Sequence, residues 1–160
     1  MLVAVHAVGR LKAGPEQDLS ARYFDRFARS GPAIGLEFSG VHEIAEGRGQ
    51  GVEERRRDET ARLRAQFAKG ASLIALDERG SNLASSDLAQ KIADLRDGGR
   101  RAVAFVIGGP DGLDVAMRQE AEMSLCFGLL TWPHQLVRIM LAEQLYRVAT
   151  ILSGHPYHRA

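Results

Sequence analysis

The sequence predicts an α/β fold, a mainly parallel sheet flanked by helices, in one domain spanning residues 1–160. Two observations support this prediction. Short apolar segments typical of buried strands alternate along the chain with amphipathic segments typical of helices. The composition, with 45% hydrophobic and 26% charged residues, is that of an ordinary globular domain, and a chain of this length fits one compact domain.

The first part of the chain predicts two strands and two helices. Residues 1–8 are apolar and rich in valine, as in a buried strand. Pro15 can start a helix that runs to about residue 30, because the first turn of a helix does not need the missing N–H. The alternating residues 34–43 predict a second strand. A glycine-rich loop at 46–51 then leads to a strongly charged helix over 52–69.

The middle of the chain repeats the alternation of strand and helix. Residues 72–76 form a short apolar segment that predicts a strand ending before Asp77. Ser85 or Ser86 can cap the helix that follows. Residues 102–107 are a continuous apolar run and predict another buried strand.

The last part predicts a short helix at about 115–121 and a final apolar strand at 125–130. Pro133 introduces the longest predicted helix, at about 135–152, and a tail follows it. That helix has apolar residues around much of its surface. A helix that is apolar beyond one stripe must be covered on more than one side, which favours a homodimer, although such a stripe more often faces the core of its own chain.

Composition and charge narrow the class of protein. The single cysteine, Cys126, excludes an intrachain disulfide framework and a multi-cysteine metal site, and no apolar stretch is long enough to span a bilayer. With no basic leader at the start, a cytoplasmic protein without a membrane partner is expected. The net charge of +1 argues against binding nucleic acid by bulk electrostatics alone. Residues 133–160 are nevertheless locally basic, which suits a phosphate-bearing partner or is a solvated surface that is basic by chance.

Two glycine- and proline-containing segments lie where predicted strands end. Gly108-Gly109-Pro110-Asp111-Gly112 follows the strand at 102–107, and ligands of open α/β sheets bind at such carboxyl ends. Its spacing is neither that of a dinucleotide site nor that of a P-loop. Leu129-Leu130-Thr131-Trp132-Pro133-His134 offers backbone amides for an adenine edge and apolar walls for a pocket. Alternatively, the two segments are a tight structural turn and a core strand that precedes a proline-started helix.

The tail carries unusual chemistry for the end of a chain. It contains His155, Pro156, Tyr157, His158 and Arg159, which offer a proton acceptor, a stacking ring and a phosphate or base contact. The two histidines have a spacing found in metal sites, but nothing nearby completes a ligand set, so no metal is expected. A featureless solvated tail is the alternative.

Four segments, in this order and at these separations, resemble one family. They are Gly108-Gly109-Pro110-Asp111-Gly112, Thr131-Trp132-Pro133-His134-Gln135-Leu136-Val137-Arg138, Glu143-Gln144-Leu145-Tyr146-Arg147 and His155-Pro156-Tyr157-His158-Arg159. The chain resembles the ribosomal RNA large-subunit methyltransferase H family, and the resemblance covers essentially the whole length. It departs from the usual pattern at Trp132, at Val148 and at the additional Ala160.

This resemblance implies a SPOUT fold with a C-terminal trefoil knot that holds S-adenosylmethionine. It implies a homodimer that acts on the assembled ribosome and methylates N3 of a pseudouridine in large-subunit ribosomal RNA. Carried over by position, the implied cofactor-binding residues are Leu76, Gly108, Gly109, Gly128, Leu129, Leu130, Thr131, Trp132 and Pro133.

The chemistry of methyl transfer suggests roles for the remaining candidates. N3 must lose its proton, and His155 or His158 has the right chemistry for a base. Arg159 or Arg138 could stabilise the developing anion, and Tyr157 could stack on the target base. Two rivals stay open: a methyltransferase of the same class acting on transfer RNA, and a nucleotide- or RNA-binding module without catalysis.

Overall fold

The computed structural model describes residues 1–158, and within them a five-stranded sheet is flanked by five α-helices. In chain order the elements are β1 (Leu2–Val8), α1 (Pro15–Ser30), a 3-10 turn (Pro32–Ile34), β2 (Glu37–Ile44), α2 (Val52–Arg64), β3 (Ser72–Asn82), α3 (Ser85–Asp97), β4 (Ala102–Ile107), α4 (Val115–Glu120), β5 (Met123–Cys126) and α5 (His134–Leu152).

The sheet has the order β2-β1-β4-β3-β5, and every neighbouring pair is parallel. The predicted α/β class with a parallel sheet is therefore confirmed. In a parallel sheet all the strands end at one edge, so the loops that follow β3, β4 and β5 come together there.

The two faces of the sheet bury different helices. Side chains alternate along each strand, so Val5 and Phe105 point to one face while Val8 and Val106 point to the other. The first face packs against α1, α3 and α5, and the second packs against α2 and α4. All six residues of β4 are buried, as the continuous apolar run predicts for a central strand.

Several predicted boundaries differ from those of the structure. Ile34 belongs to the 3-10 turn, and Gly35 follows it with a left-handed backbone (φ 73°), so β2 begins only at Glu37. Helix α2 ends at Arg64 and is not continued to residue 69. Helix α3 has no side-chain cap, because its N-cap position is Ala84, which has no side-chain acceptor; the Ser85 hydroxyl donates to Gln144 Oε1 at 2.7 Å.

Strand β3 extends six residues beyond its predicted end. Its pairing with β5 is interrupted after Leu76 and resumes at Ser81 and Asn82. A Cβ at Gly80 would lie 2.7 Å from the carbonyl carbon of Ser124, so only glycine permits this approach of the two backbones. The irregular segment between the two paired parts carries Asp77 to the carboxyl edge of the sheet.

The predicted strand at 125–130 is also shorter in the structure. Strand β5 ends at Cys126, and Leu129 and Leu130 lie in an exposed loop. In α5, the apolar residues Leu141, Leu145 and Val148 are buried against α1 and α3, which makes that stripe part of the protomer's own core. Across residues 1–158 the structure contains no helix with the length and apolar character of a membrane span.

Candidate functional site

A pocket of about 300 Å³ opens at the carboxyl edge of the sheet. It lies between the ends of β3, β4 and β5 and the start of α5. Eight of the nine residues predicted to bind a cofactor line it: Leu76, Gly108, Gly109, Gly128, Leu130, Thr131, Trp132 and Pro133. The ninth, Leu129, is fully exposed and is not part of the lining.

The glycine-rich turn after β4 forms one wall of the pocket. The Gly112 N–H donates to the Gly109 carbonyl at 2.9 Å, which closes the turn. A Cβ at Gly108 would lie 2.7 Å from the carbonyl carbon of Gly112, and Gly112 itself has φ 78°. The geometry of the turn itself therefore requires glycine at both of its ends, Gly108 and Gly112.

Two arginines of α2 hold this turn in place. Arg55 Nε donates to Asp111 Oδ2 at 2.7 Å, and Arg56 Nε donates to the Asp111 carbonyl at 2.7 Å. The hydrogen bond from Arg55 lowers the pKa of the Asp111 carboxyl. The sequence analysis did not predict these contacts of Arg55 and Arg56 with Asp111. The run of arginines in the charged helix is the signal that could have suggested them.

The opposite wall is the loop between β5 and α5. The Cys126 thiol donates to the Gly128 carbonyl at 2.7 Å, and Gly128 has φ 124°. A Cβ on Gly128 would lie 3.9 Å from Trp132 Nε1, so the indole lies close over this glycine. The side chain of Trp132 is partly exposed at the mouth of the pocket, where it forms an apolar edge.

A charged pair not anticipated from the sequence lies in the wall of the same pocket. Arg118 Nε, on α4, is 3.7 Å from Asp77 Oδ2, at the end of the regular part of β3. Both side chains are shielded, with 19% and 11% of their surface exposed. Asp77 is fixed from the other side, since its Oδ1 accepts the Arg79 N–H at 3.0 Å.

The described part of the tail folds back along α5. The Tyr157 hydroxyl donates to Glu143 Oε1 at 3.2 Å, its ring lies 4.7 Å from that of Tyr146, and the Arg147 guanidinium lies 5.2 Å from its ring centre. Burial, together with hydrogen bonding to Tyr23 and Glu143, raises the pKa of Tyr157 to about 12. Tyr157 thus packs against α5, which a featureless solvated segment would not do.

The other tail candidates lie next to Tyr157. His155 Nδ1 accepts the Tyr157 N–H at 3.2 Å, and the buried Nδ1 of His158 has no hydrogen-bond partner among residues 1–158. Arg159 lies outside the described residues. His155, Tyr157 and His158 do not line the pocket of their own protomer, so the structure does not bring these candidates together with the cofactor-binding candidates.

Arg138 has an environment that the sequence does not suggest. It is 1% exposed, and its guanidinium binds the Glu43 carboxylate and the carbonyls of Val8 and Gly9. Burial lowers the pKa of Arg138, and the neighbouring Glu43 opposes that effect. These contacts are those of a structural residue, and a contact with RNA would require them to be broken.

Between residues 1 and 158, no group of three or more His, Cys, Asp or Glu side chains is arranged to hold an ion. The chemistry that the pocket itself offers is a glycine-rich turn, apolar walls and one shielded pair of opposite charges. This combination suits a small organic ligand with an apolar body and a charged end.

Comparisons with known proteins show which family the chain resembles. The family model described as "Predicted SPOUT methyltransferase" matches residues 1–158. A protein of Mesorhizobium japonicum named ribosomal RNA large subunit methyltransferase H is 65% identical over the full length of both chains. A protein of the same name from a Chelativorans species is 58% identical, covering 98% of this chain and 90% of its own. Among solved structures, a probable methylase family protein from Haemophilus influenzae is 10% identical with a TM-score of 0.49, covering 99% of this chain and 70% of that one.

Proposed function

The chain belongs to the SPOUT methyltransferase family, and from that membership we propose that it methylates N3 of a pseudouridine in large-subunit ribosomal RNA with S-adenosylmethionine as methyl donor. The observation that carries the proposal is the pocket formed where β3, β4 and β5 end. The name of the relatives indicates the class of RNA, and the family resemblance suggests the base and the assembled ribosome as substrate.

The residues of the pocket fit the methyl donor. The backbone of Gly108 and Gly109 can approach a ligand closely because neither residue carries a side chain, and Leu76, Leu130 and Trp132 supply apolar walls for an adenine. The backbone N–H groups of residues 128–132 donate no hydrogen bond within the described range 1–158, so they are available for the adenine edge. When bound, S-adenosylmethionine supplies a methyl group activated by its sulfonium. Direct contact between the methyl donor and the remaining predicted residue, Leu129, stays a prediction.

This chain contributes mainly alignment and proton transfer. Holding two reactants in line can lower a barrier by up to ~7–11 kcal/mol, so the rigid turn and loop have a direct effect on rate. The imide N3 loses its proton to His155 or His158, while Tyr157 stacks on the base and Arg159 stabilises the developing anion. Arg138 is left out of this step because its guanidinium is already bound within the protein.

The position of the tail favours action across a dimer. Tyr157 contacts Glu143, which lies nine residues after His134, or ~13 Å further along the helix at 1.5 Å per residue. The pocket of the same protomer is at the His134 end. We therefore propose a homodimer in which the tail of one subunit reaches the pocket of the partner. The exposed apolar residues Leu129, Leu130, Trp132 and Leu136 support such an interface.

Three further properties belong to the proposal. The enzyme is proposed to work in the cytoplasm, where its ribosomal substrate is, and residues 1–160 are proposed to form a single domain. Its C-terminal segment is proposed to form the trefoil knot that the family resemblance implies. The lone buried thiol of Cys126 is consistent with a reducing compartment.

The two rival functions differ from this one in measurable ways. A methyltransferase for transfer RNA would modify free transfer RNA and leave ribosomes unchanged. A binding module without catalysis would bind the nucleoside or the RNA and transfer no methyl group. The name shared by these two relatives favours the ribosomal substrate.

The deciding experiment uses ribosomes purified from a strain that lacks the enzyme. They are incubated with the full-length protein and radiolabelled S-adenosylmethionine, with free transfer RNA in parallel, and the nucleosides are identified by mass spectrometry. We expect one N3-methylated pseudouridine in large-subunit RNA. Label in transfer RNA alone would support the first rival, and cofactor binding without any transfer would support the second.

A further inference from the structure

We infer that Asp77 and Arg118 form the binding subsite for the amino-acid end of the methyl donor, with Arg118 holding the α-carboxylate and Asp77 the α-ammonium. The inference rests on the proposed function, because it presupposes a nucleoside that carries an amino acid.

The first observation is the position of the pair. Both side chains line the same pocket as the Gly108–Gly112 turn and the loop at 128–133. Asp77 directly follows Leu76, and Arg118 lies on α4, the helix that follows the turn. The two side chains are mostly shielded from solvent. Salt screens an ionic contact with a ligand much less at such a shielded position than at an open surface.

The second observation is that the side chain of Arg118 makes no hydrogen bond with the residues that the structure describes, 1–158. Its Nε is buried without a partner, and the nearest carboxylate oxygen, on Asp77, is 3.7 Å away. A guanidinium has five N–H donors, and a buried donor without an acceptor is costly. By contrast Arg56, which lines the same pocket, donates to the Asp111 carbonyl. Arg118 is therefore placed to bind an anion that enters the pocket.

The third observation is that the two opposite charges are adjacent. A simple anion such as phosphate at Arg118 would also meet the carboxylate of Asp77, and a metal ion at Asp77 would also meet the guanidinium. The α-carbon of an amino acid carries one ammonium and one carboxylate, so a single ligand group satisfies both side chains. The bond from the Arg79 N–H to Oδ1 fixes Asp77 and leaves Oδ2 facing Arg118.

The alternative is that Arg118 and Asp77 form a purely structural salt bridge between α4 and β3. The selectivity of ligand binding distinguishes a ligand subsite from such a bridge. Two stable nucleosides serve as probes: S-adenosylhomocysteine, which has the amino-acid end, and 5′-methylthioadenosine, which lacks it. Their dissociation constants are measured by calorimetry on the full-length protein and on Arg118→Met, which keeps the apolar stem. The control is Arg64→Met, which removes the salt bridge between Arg64 and Glu120, an α2–α4 contact outside the pocket lining.

We expect Arg118→Met to weaken S-adenosylhomocysteine binding by roughly tenfold to a hundredfold, the usual effect of losing a charge-assisted hydrogen bond. Binding of 5′-methylthioadenosine should stay within about twofold of the wild type, and Arg64→Met should leave both constants unchanged. Asp77→Asn, which preserves shape and can still accept the Arg79 N–H, should show the same selective loss. It carries the test if Arg118→Met does not fold.

Equal losses for the two nucleosides, or no loss for S-adenosylhomocysteine in either folded variant, would overturn the subsite and leave the proposed function intact. A wild-type protein that binds neither nucleoside would overturn both. Binding measurements thus distinguish the two failures without any measurement of methyl transfer.

Discussion

The guanidinium of Arg138, in α5, binds the carboxylate of Glu43, in β2, across 95 positions of sequence. The same guanidinium donates to the Val8 carbonyl at 2.9 Å and to the Gly9 carbonyl at 2.6 Å. Glu43 in turn accepts the Leu11 N–H at 3.0 Å. One buried arginine therefore joins the C-terminal helix to the ends of the first two strands.

Replacing Arg138 by methionine is expected to lower the free energy of unfolding by about 3–5 kcal/mol, because the change removes one partner of a buried ion pair and leaves two carbonyls without their donor. Urea denaturation followed by circular dichroism measures the loss. The matched control is Arg64→Met, which breaks an exposed pair between α2 and Glu120 of α4 and should cost less than about 1 kcal/mol. Equal losses in the two variants would contradict the anchoring role.

A Gly108→Ala substitution is expected to weaken binding of S-adenosylhomocysteine by roughly tenfold or more, since the new methyl group would push the backbone at Gly112 out of the turn. Gly51→Ala is the control, because a Cβ there meets nothing within 4 Å. Calorimetry on both variants is the measurement. Wild-type affinity in a folded Gly108→Ala protein would show that the turn is not part of the binding site.

Gly109→Val is a less clean test of the same turn, because a Cβ at that position lies 2.8 Å from the side chain of Val8 in the core.

Deleting residues 157–160 is expected to abolish methyl transfer while cofactor affinity and dimerisation stay close to those of the full chain. The reason is that the tail contacts α5 and does not line the pocket of its own protomer. His158→Ala alone should lose less activity than the deletion, because Tyr157 and Arg159 act separately in the proposal. The assay is methylation of ribosomes from the deletion strain. A truncated protein with the wild-type rate would show that the tail has no part in catalysis.

Leu136→Glu is expected to weaken the proposed homodimer, because this residue of α5 is 39% exposed and a carboxylate cannot be buried there without a partner. Val115→Glu places the same charge at a similarly exposed apolar residue of α4 and should leave the dimer intact. Sedimentation at micromolar concentration should give about twice the chain mass for the wild type and the control. A wild-type monomer with full activity would refute the dimer.

The stability of the protein is expected to fall between pH 6.5 and about 4 in part through His6. Burial, with a smaller contribution from the stacked ring of His42, lowers the pKa of His6 from 6.5 to about 4. Within this range the unfolded chain binds a proton that folded His6 does not bind, so its contribution is complete above pH 6.5 and is lost as the pH falls. Unfolding free energies of the wild type and His6→Phe at pH 7 and pH 5 test this. The variant should show the smaller decrease, and an equal decrease would assign the effect to other groups.

Some elements could be predicted closely because their signals are local. Helix α1 starts at Pro15 because proline needs no N–H partner in the first turn, which is a property of that one residue. Strand β4 is an uninterrupted apolar run of a length typical of a strand. Other elements depend on contacts between distant segments. The second part of β3 is polar, and it is a strand only because Gly80 lets it approach β5.

The candidate site shows the same division. The glycine-rich turn and the loop after β5 could be recognised because each is continuous in sequence, and eight of the nine predicted positions line one pocket. The pairs Arg55–Asp111 and Asp77–Arg118 join residues dozens of positions apart, at spacings that follow no local rule. Similarly, nothing in the sequence distinguishes the buried Arg138 from an exposed arginine of the same helix.

The link between Arg138 and the first strand also has a consequence for how the protein is made. During translation β1 and β2 leave the ribosome long before α5. The Val8 and Gly9 carbonyls and the Glu43 carboxylate therefore lack their donor, Arg138, until the chain is nearly finished. The face of the sheet that α5 covers stays exposed for the same period. A nascent chain that stalls before residue 138 presents an open apolar surface, which makes unfinished products targets for chaperones and proteases.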